Sequence, residues 1–215
     1  MFAGDCMSRP VITIHKEMPI QEALNLMVRE RIRRLPVIDR HANLIGIVSE
    51  RDLFHAAPSD AISLSIWELN YLISKITVEE IMTREVITVQ EQVPIEEVAR
   101  IMTDRKIGGL PVLRDGRVVG IITETDLLKV LPELLGAGDP GIRLTARIAN
   151  SLERQAGLSR AIFEIGGRIL ALGTIPSESP ETSEILMKIE GITTHQLRVV
   201  VEHWVEEIID ISEPE

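Results

Sequence analysis

Ile20, Ala23, Leu24, Met27 and Val28 recur at i, i+3, i+4, i+7 and i+8, which places five apolar side chains on one face of a helix. Pro19 stands where the first turn of that helix would begin, a position at which its missing N–H costs nothing. Upstream, the β-branched run Val11–Ile14 predicts a short buried strand. Downstream, Leu35–Ile38 and Leu44–Val48 predict two more strands joined by a polar turn around 39–43, and Ser49–Ala56 opens a second helix. The predicted order is strand, helix, strand, strand, helix.

The chain then repeats that order. Val86-Ile87-Thr88-Val89 mirrors Val11-Ile12-Thr13-Ile14, and Leu110-Pro111-Val112-Leu113 mirrors Leu35-Pro36-Val37-Ile38. Met82-Thr83-Arg84 mirrors Met7-Ser8-Arg9, and Pro94-Ile95-Glu96-Glu97 mirrors Pro19-Ile20-Gln21-Glu22. Ile95, Val98, Ala99 and Met102 rebuild the apolar helix face. The offset is about 75 residues, with one residue dropped where His41-Ala42-Asn43 gives way to the tighter Asp115-Gly116 turn. Both copies close on one form, Gly46-Ile47-Val48-Ser49-Glu50-Arg51-Asp52 and Gly120-Ile121-Ile122-Thr123-Glu124-Thr125-Asp126. Two copies are too few for a solenoid and predict a pseudo-twofold pair.

Between the copies, past Pro58, residues 62–76 read as an amphipathic helical linker carrying Trp67 and Tyr71. After the second copy, Pro132, Gly136, Gly138, Pro140 and Gly141 mark a break over 131–141. Beyond the break, the pattern predicts a strand at 142–149, a helix through Leu158, Ile162, Phe163 and Ile165, and strands at 168–175 and 183–189. A helix over 197–204 and a last strand over 205–211 complete the order βαββαβ, a ferredoxin-like arrangement. The fold class is thus α+β. The expected domains are repeat one (1–57), a helical linker (58–77), repeat two (78–135) and a C-terminal domain (142–212).

Composition narrows the function classes. Hydrophobic residues make up 45% and aromatics 3%, so the cores are aliphatic. No apolar run approaches the ~18 residues of a membrane span, and no signal peptide is visible, so a cytoplasmic location is expected. The single cysteine, Cys6, excludes an internal disulfide framework. A formal net charge of -10 disfavours non-specific nucleic-acid or anionic-membrane binding. Against it the cluster Arg29, Arg31, Arg33, Arg34, with Arg51 further on, reads either as a solvated helix end or as an anion subsite.

Ser49-x-x-Asp52 and Thr123-x-x-Asp126 support two accounts. A hydroxyl three residues ahead of a carboxylate resembles a capping box, which needs no ligand. A helix start also favours phosphate, the hydroxyl can donate to a phosphate oxygen, and a carboxylate one turn in can accept both hydroxyls of a ribose. No Gly-x-Ser-x-Gly elbow, Walker loop, His-Glu-x-x-His or Cys-x-x-Cys occurs, so no enzyme is expected. The five histidines show no metal-ligand spacing.

The paired Val-Ile-Thr-Ile strands, Leu-Pro-Val strands and Gly-h-h-[Ser/Thr]-x-x-Asp endings resemble a tandem CBS-domain pair, or Bateman module, over 7–128. The whole layout, with the Gly-Ala-Gly-Asp-Pro-Gly linker at 136–141 and a degenerate ACT-like domain, resembles AcuB-type acetoin-utilisation proteins. The resemblance implies regulation by an adenosine ligand (AMP, ADP, ATP or S-adenosylmethionine), no required cofactor, and a homodimer through the CBS pair and the ACT-like domain. It also implies two shared clefts. One joins Thr13, Ile32 and Arg33 to Thr123 and Asp126; the other joins Thr88, Ile107 and Gly108 to Ser49 and Asp52. Arg34 and Arg51 are phosphate candidates. Because Arg33-Arg34 and Gly108-Gly109 stand at equivalent positions, the clefts should be unequal, with Thr123/Asp126 and Arg33 the favoured nucleotide site. An ACT-type amino-acid turn would fall at Arg154-Gln155-Ala156-Gly157-Leu158, which keeps the glycine and lacks the acid and proline.

Overall fold

The computed structural model describes residues 1–56 and 75–213; the region of the expected linker helix that holds Trp67 and Tyr71 lies outside them. Two compact units divide the chain, Met1–Leu127 and Leu128–Glu215. None of the described helices is long and apolar enough to cross a membrane.

In the first unit each repeat builds a three-stranded sheet. Repeat one supplies β1 (Ile14–His15), α2 (Ile20–Glu30), β2 (Arg34–Ile38), β3 (Leu44–Ser49) and α3 (Glu50–Ala56), after a short α1 (Ala3–Cys6). Repeat two supplies α4 (Val78–Ile81), β4 (Val89–Gln90), α5 (Ile95–Arg105), β5 (Gly109–Arg114), β6 (Arg117–Thr123) and α6 (Glu124–Leu134). The sheet orders are β1-β2-β3 and β4-β5-β6, the first pairing parallel and the second antiparallel in both. The expected strand at Val11–Ile14 shortens to Ile14–His15, because only these two residues find ladder partners, Val37 and Ile38; the same holds for Val89–Gln90.

The apolar faces behave as their spacing requires: Ile20, Ala23 and Met27 of α2 and Val98 and Met102 of α5 are buried. Both helices end on a non-glycine residue in the left-handed region, Arg31 (φ 55) and Lys106 (φ 54), whose N–H groups donate back to the Met27 and Met102 carbonyls. A left-handed residue other than glycine costs roughly 1–2 kcal/mol. Here it turns the chain sharply into β2 and β5, so that Arg33-Arg34 and Gly108-Gly109 start the strands.

The repeats exchange their leading segments. Ala3 and Met7 are buried in the core of repeat two with Val98, Leu110 and Ile122, whereas Val78 and Met82 are buried in the core of repeat one with Met27, Leu35 and Val48. Reciprocal backbone bonds fix each segment: Ser8 and Ile121 exchange N–H···O bonds of 2.9 and 3.2 Å, and Thr83 and Ile47 exchange two of 2.9 Å. The boundaries read from the repeat in the sequence therefore differ from those of the packed cores. Close approach explains the exchange. An added Cβ would meet Met7 Sδ at 2.2 Å on Gly120 and Met82 Sδ at 2.5 Å on Gly46, so each thioether lies in the space a side chain would take.

The expected break beginning at Leu131 starts later, since α6 runs through Pro132 to Leu134. The Pro132 carbonyl still finds a donor in the Ala137 N–H at 2.9 Å. The second unit then keeps the expected order with β7 (Ile142–Ala149), α7 (Leu152–Glu164), β8 (Arg168–Pro176), β9 (Thr182–Glu190), α8 (Thr194–Val201) and β10 (Glu207–Ser212). Its sheet is antiparallel in the order β10-β7-β9-β8. Ile142, Leu144, Ala146 and Ile148 alternate onto a core with Ile185, Met187 and Ile189, closed by Leu158, Ile162 and Leu197. The last helix spans Thr194–Val201 rather than 197–204, because Thr193 caps it: its Oγ1 accepts the Gln196 N–H at 3.2 Å, and the Gln196 carboxamide accepts the Thr193 N–H at 2.9 Å.

Candidate functional site

The Ser49–Asp52 set forms a capping box, with aspartate at the third helical position, and Thr123–Asp126 repeats its carboxylate half. Asp52 Oδ2 accepts the Ser49 N–H at 2.8 Å and the Ser49 hydroxyl at 2.7 Å, and the Asp52 N–H donates to Ser49 Oγ at 3.3 Å. Asp126 Oδ2 accepts the Thr123 N–H at 3.0 Å and its hydroxyl at 2.7 Å. Each hydroxyl donates to its own aspartate here, the capping account of the motif. Asp52 Oδ1 takes no hydrogen bond among the described residues.

The two sets differ in access. A cavity of about 450 Å³, within the ordinary range for small-molecule sites, is lined by Ser49, Asp52 and Arg51 on the side of repeat one. Across it stand Val86, Ile87, Ile107 and Gly108 of repeat two. Arg33, Arg34 and Lys106 also line it, with Glu50, Glu85, Glu124 and Thr125. Of the residues expected at the second cleft, Ile107, Gly108, Ser49 and Asp52 come together here. Thr88 lies outside the lining, while its neighbours Val86 and Ile87 form the wall.

Thr13, Ile32, Thr123 and Asp126, expected at the favoured cleft, do not line this cavity. Asp126 is only 6% exposed, and Ile32 packs against the core of repeat one. Side chains from repeat one reach that set. Arg33 Nη2 donates to Thr125 Oγ1 at 3.3 Å. A Cβ on Gly109 would meet Arg34 Cδ at 3.0 Å and Thr123 Cγ2 at 3.3 Å, so the Arg34 stem runs over that glycine beside Thr123. The arginines that the sequence assigned to the Thr123–Asp126 set thus line the Ser49–Asp52 cavity.

Sheet register explains how these groups meet. Arg34 pairs with Ser49, and Gly109 with Thr123, at matching ends of the two hairpins. The first amide of each following helix is taken by the neighbouring turn, Glu50 N–H by the Arg33 carbonyl at 2.9 Å and Glu124 N–H by the Gly108 carbonyl at 3.2 Å. Burial pulls the Arg34 guanidinium below its ordinary pKa, partly offset by attraction to Glu124. Arg51 Nε donates to His55 Nε2 at 3.4 Å along α3.

Glu124, Thr125, Lys106 and Glu85 were missed on sequence. Glu124 and Thr125 occupy the variable positions of the Gly-h-h-Thr-x-x-Asp motif, so their nearness to the site could have been read from it. Lys106 became visible only through the left-handed turn that aims it. No group of three or more metal-binding side chains occurs among the described residues. In the second unit, Gly157 lies inside α7 rather than in a turn, and a Cβ there would fall 1.9 Å from Trp204 Cζ3. The glycine is present to admit the indole, so the expected amino-acid turn is absent; Asn150 and Ser151 make the β7–α7 connection.

Comparison with known proteins supplies relatives for the first unit. The family model described as CBS domain matches residues 3–59 and 78–133. A solved CBS domain pair in complex with 5′-methylthioadenosine and S-adenosyl-L-methionine is 36% identical, with a TM-score of 0.51, covering 61% of this chain and 95% of that one. A candidate acetoin utilization protein (AcuB) from Vibrio cholerae is 32% identical, with a TM-score of 0.54, covering 65% of this chain and 96% of that one. The L-aspartate semialdehyde sulfurtransferase of Methanocaldococcus jannaschii is 37% identical over 127 residues, 59% of this chain, but the match spans only 22% of the enzyme's own length.

Proposed function

This chain belongs to the CBS-domain family, and we propose that it is a regulatory protein whose CBS pair binds an adenosine ligand at the Ser49–Asp52 cavity. The observation that supports this most is the juxtaposition of the Asp52 carboxylate, with Oδ1 to spare, and the apolar wall of Val86, Ile87 and Ile107 contributed by the other repeat. A carboxylate suits a ribose diol, and a flat apolar wall suits adenine. A solved relative binds 5′-methylthioadenosine and S-adenosyl-L-methionine in such a pair. In this reading no chemistry is performed on the ligand. Binding favours one arrangement of the two repeats, by as much as the ligand prefers it. The Thr123–Asp126 set, with Thr13 and Ile32, would receive a second ligand only after Arg33 leaves Thr125.

The second unit, with its βαββαβ order and antiparallel sheet, is read as an ACT-like dimerisation domain that passes the ligand signal to a partner. The AcuB likeness supports a link to acetoin or central carbon metabolism. Light scattering of the full chain tests the homodimer.

The ligand reading is tested on the full chain by calorimetry and thermal shift with 5′-methylthioadenosine, S-adenosylmethionine, AMP, ADP and ATP. At 100 times its dissociation constant a ligand stabilises by about 2.7 kcal/mol. Asp52→Asn keeps an acceptor for the Ser49 cap and removes the charge. It should weaken binding by about 1.5–3 kcal/mol, the worth of a charged hydrogen bond. Unchanged affinity would remove Asp52 from the ligand site, and binding of none of the five compounds would leave both hydroxyl–carboxylate sets as helix caps on a ligand-free scaffold.

A further inference from the structure

Arg34 begins β2, and the far end of that strand carries a second cavity, of about 330 Å³, within repeat one. His15 and Lys16 reach it from the end of β1, and Asp39 to His41 from the turn after β2. The equivalent place in repeat two is closed. There Gln90 faces Leu113 as His15 faces Ile38, and the next residues, Glu91 and Arg114, form a bidentate ion pair, with Arg114 Nη2 at 2.7 Å from Glu91 Oε1. Repeat one inverts that pair to Lys16 and Asp39, yet each of these is taken elsewhere. Lys16 Nζ donates to Glu79 Oε1 at 2.9 Å, with Arg84 also near Glu79 at 3.7 Å. Asp39 accepts the His41 and Asn43 N–H groups at 2.8 and 2.9 Å and the Asn43 carboxamide at 2.9 Å. The Asn43 bonds hold Asp39, and the Lys16 bond holds Glu79, below the ordinary carboxylate range, so both stay anions engaged by their partners. Left facing the cavity are Arg40, Glu17 and two imidazoles, all exposed. Arg40 and Glu17 make no hydrogen bond or ion pair among the described residues. His15 Nδ1 lies 3.2 Å from the Ile38 carbonyl. A carbonyl only accepts, so Nδ1 carries a proton and Nε2 is the nitrogen that gains or loses one.

We infer that this cavity is a second ligand site, for a small anion of two or more negative charges, and that the anion enters together with protons on His15 and His41. The inference stands apart from adenosine binding at the Ser49–Asp52 cavity. Near neutral pH the unpaired charges, Arg40 and Glu17, cancel, and the site has little hold on an anion. An imidazole takes up its proton as pH falls through about 6.5, and two positive charges then join Arg40 against the single unpaired carboxylate. His15 Nε2–H becomes a donor into the cavity while Nδ1–H keeps the Ile38 carbonyl, so the ring needs no reorientation. Single exposed ion pairs contribute little, which is why the ligand must engage several of these groups at once. Glu17 opposes the anion throughout. Since the bound anion favours the protonated rings, affinity rises as pH falls and is lost as pH rises.

The test is calorimetry on the full chain with pyrophosphate and with citrate, for wild type, His15→Gln, His41→Gln, Arg40→Gln and Glu17→Gln. Wild-type affinity should be at least about tenfold higher near pH 5.5 than near pH 7.5, the factor that one linked proton supplies. His15→Gln and His41→Gln should each flatten that profile. Arg40→Gln should weaken binding about fivefold at both pH values, and Glu17→Gln should tighten it at both, an increase that a merely structural glutamate would not produce. The tighter of the two probes assigns the anion to phosphates or to carboxylates. Proton magnetic resonance of the imidazoles locates the site: the ring signals of His15 and His41 should move with the anion. The ring of His55, beside Arg51 of the other cavity, should not. Equal wild-type affinity at the two pH values, an unchanged profile in both histidine variants, or movement of His55 in place of His15 and His41 overturns the inference. So does binding of neither probe near pH 5.5. None of these outcomes bears on adenosine binding at Ser49–Asp52.

Discussion

Met82 and Met7 occupy equivalent places in the two repeats, yet only one of them supports the cavity. Both are 7% exposed, with sulfur held where a glycine side chain would be, on Gly46 for Met82 and on Gly120 for Met7. Truncation of a buried methionine to alanine costs about 2–5 kcal/mol. The leading segments are pinned by backbone bonds on both sides, so collapse around the void is limited and about 3 kcal/mol is a fair central value for each. For a unit of 127 residues, unfolding entropy of about 2.1 cal/mol/K per residue turns that loss into a fall in Tm of roughly 11 °C. At about 0.05–0.15 kcal/mol per residue the unit retains most of its stability at 25 °C, so binding remains measurable. The variants should then part company. Met82→Ala frees the segment from Thr83 through Ile87, whose residues line the cavity, and ligand binding must re-order it. That should weaken affinity about threefold to tenfold. Met7→Ala loosens Ser8 against Ile121, which is not part of the lining, and should leave affinity unchanged. Hydrogen exchange supplies the local readout, faster at Ile47 and Thr83 in Met82→Ala and at Ser8 and Ile121 in Met7→Ala. Equal loss of affinity in both variants, or exchange accelerated in the same repeat as the mutated residue's sequence neighbours, would refute the segment exchange as the support of the cavity.

In the second unit, Gly157→Ala drives a methyl into the Trp204 ring and should cost about 1–3 kcal/mol, with a changed near-ultraviolet signal from the indole; an unaltered melting curve would show that the ring can move aside freely. Among the described residues Thr145 Oγ1 is a buried hydroxyl without a hydrogen-bond partner, so Thr145→Val should stabilise the full chain by roughly 1 kcal/mol in denaturant melts, and destabilisation would mean the hydroxyl is satisfied in solution.

Helix faces and strand order were legible because they depend on local periodicity. Ile20, Ala23 and Met27 announce α2 by spacing alone. That Ile107 and Gly108 stand near Ser49 and Asp52 was implied by the CBS-pair resemblance, not by the repeat alone. Three things were not. The exchange of leading segments is invisible because Met7 and Met82 look alike and each could serve either glycine. The true role of Gly157 depends on Trp204, 47 positions later, whose ring claims the space of its Cβ. The arrival of Arg33 and Arg34 at the Ser49–Asp52 cavity was hidden because charge was counted by position in the repeat, whereas long arginine side chains act where their tips arrive.

That last point carries the asymmetry of the molecule. Arg33-Arg34 and Gly108-Gly109 are equivalent in the repeat, and the space at Gly108 and Gly109 cannot hold more than one long side chain. The Arg34 stem already passes where a Gly109 Cβ would be, and its tip where a Gly108 Cβ would be. Two arginine pairs would collide there and place like charges together; two glycine pairs would leave an open groove with no cation to order a ligand. One pair of each places the Arg34 stem over the glycines beside Thr123 and a charged cavity at Ser49 and Asp52. The divergence of the repeats is therefore a packing requirement first, and the preference for one cleft comes out of it.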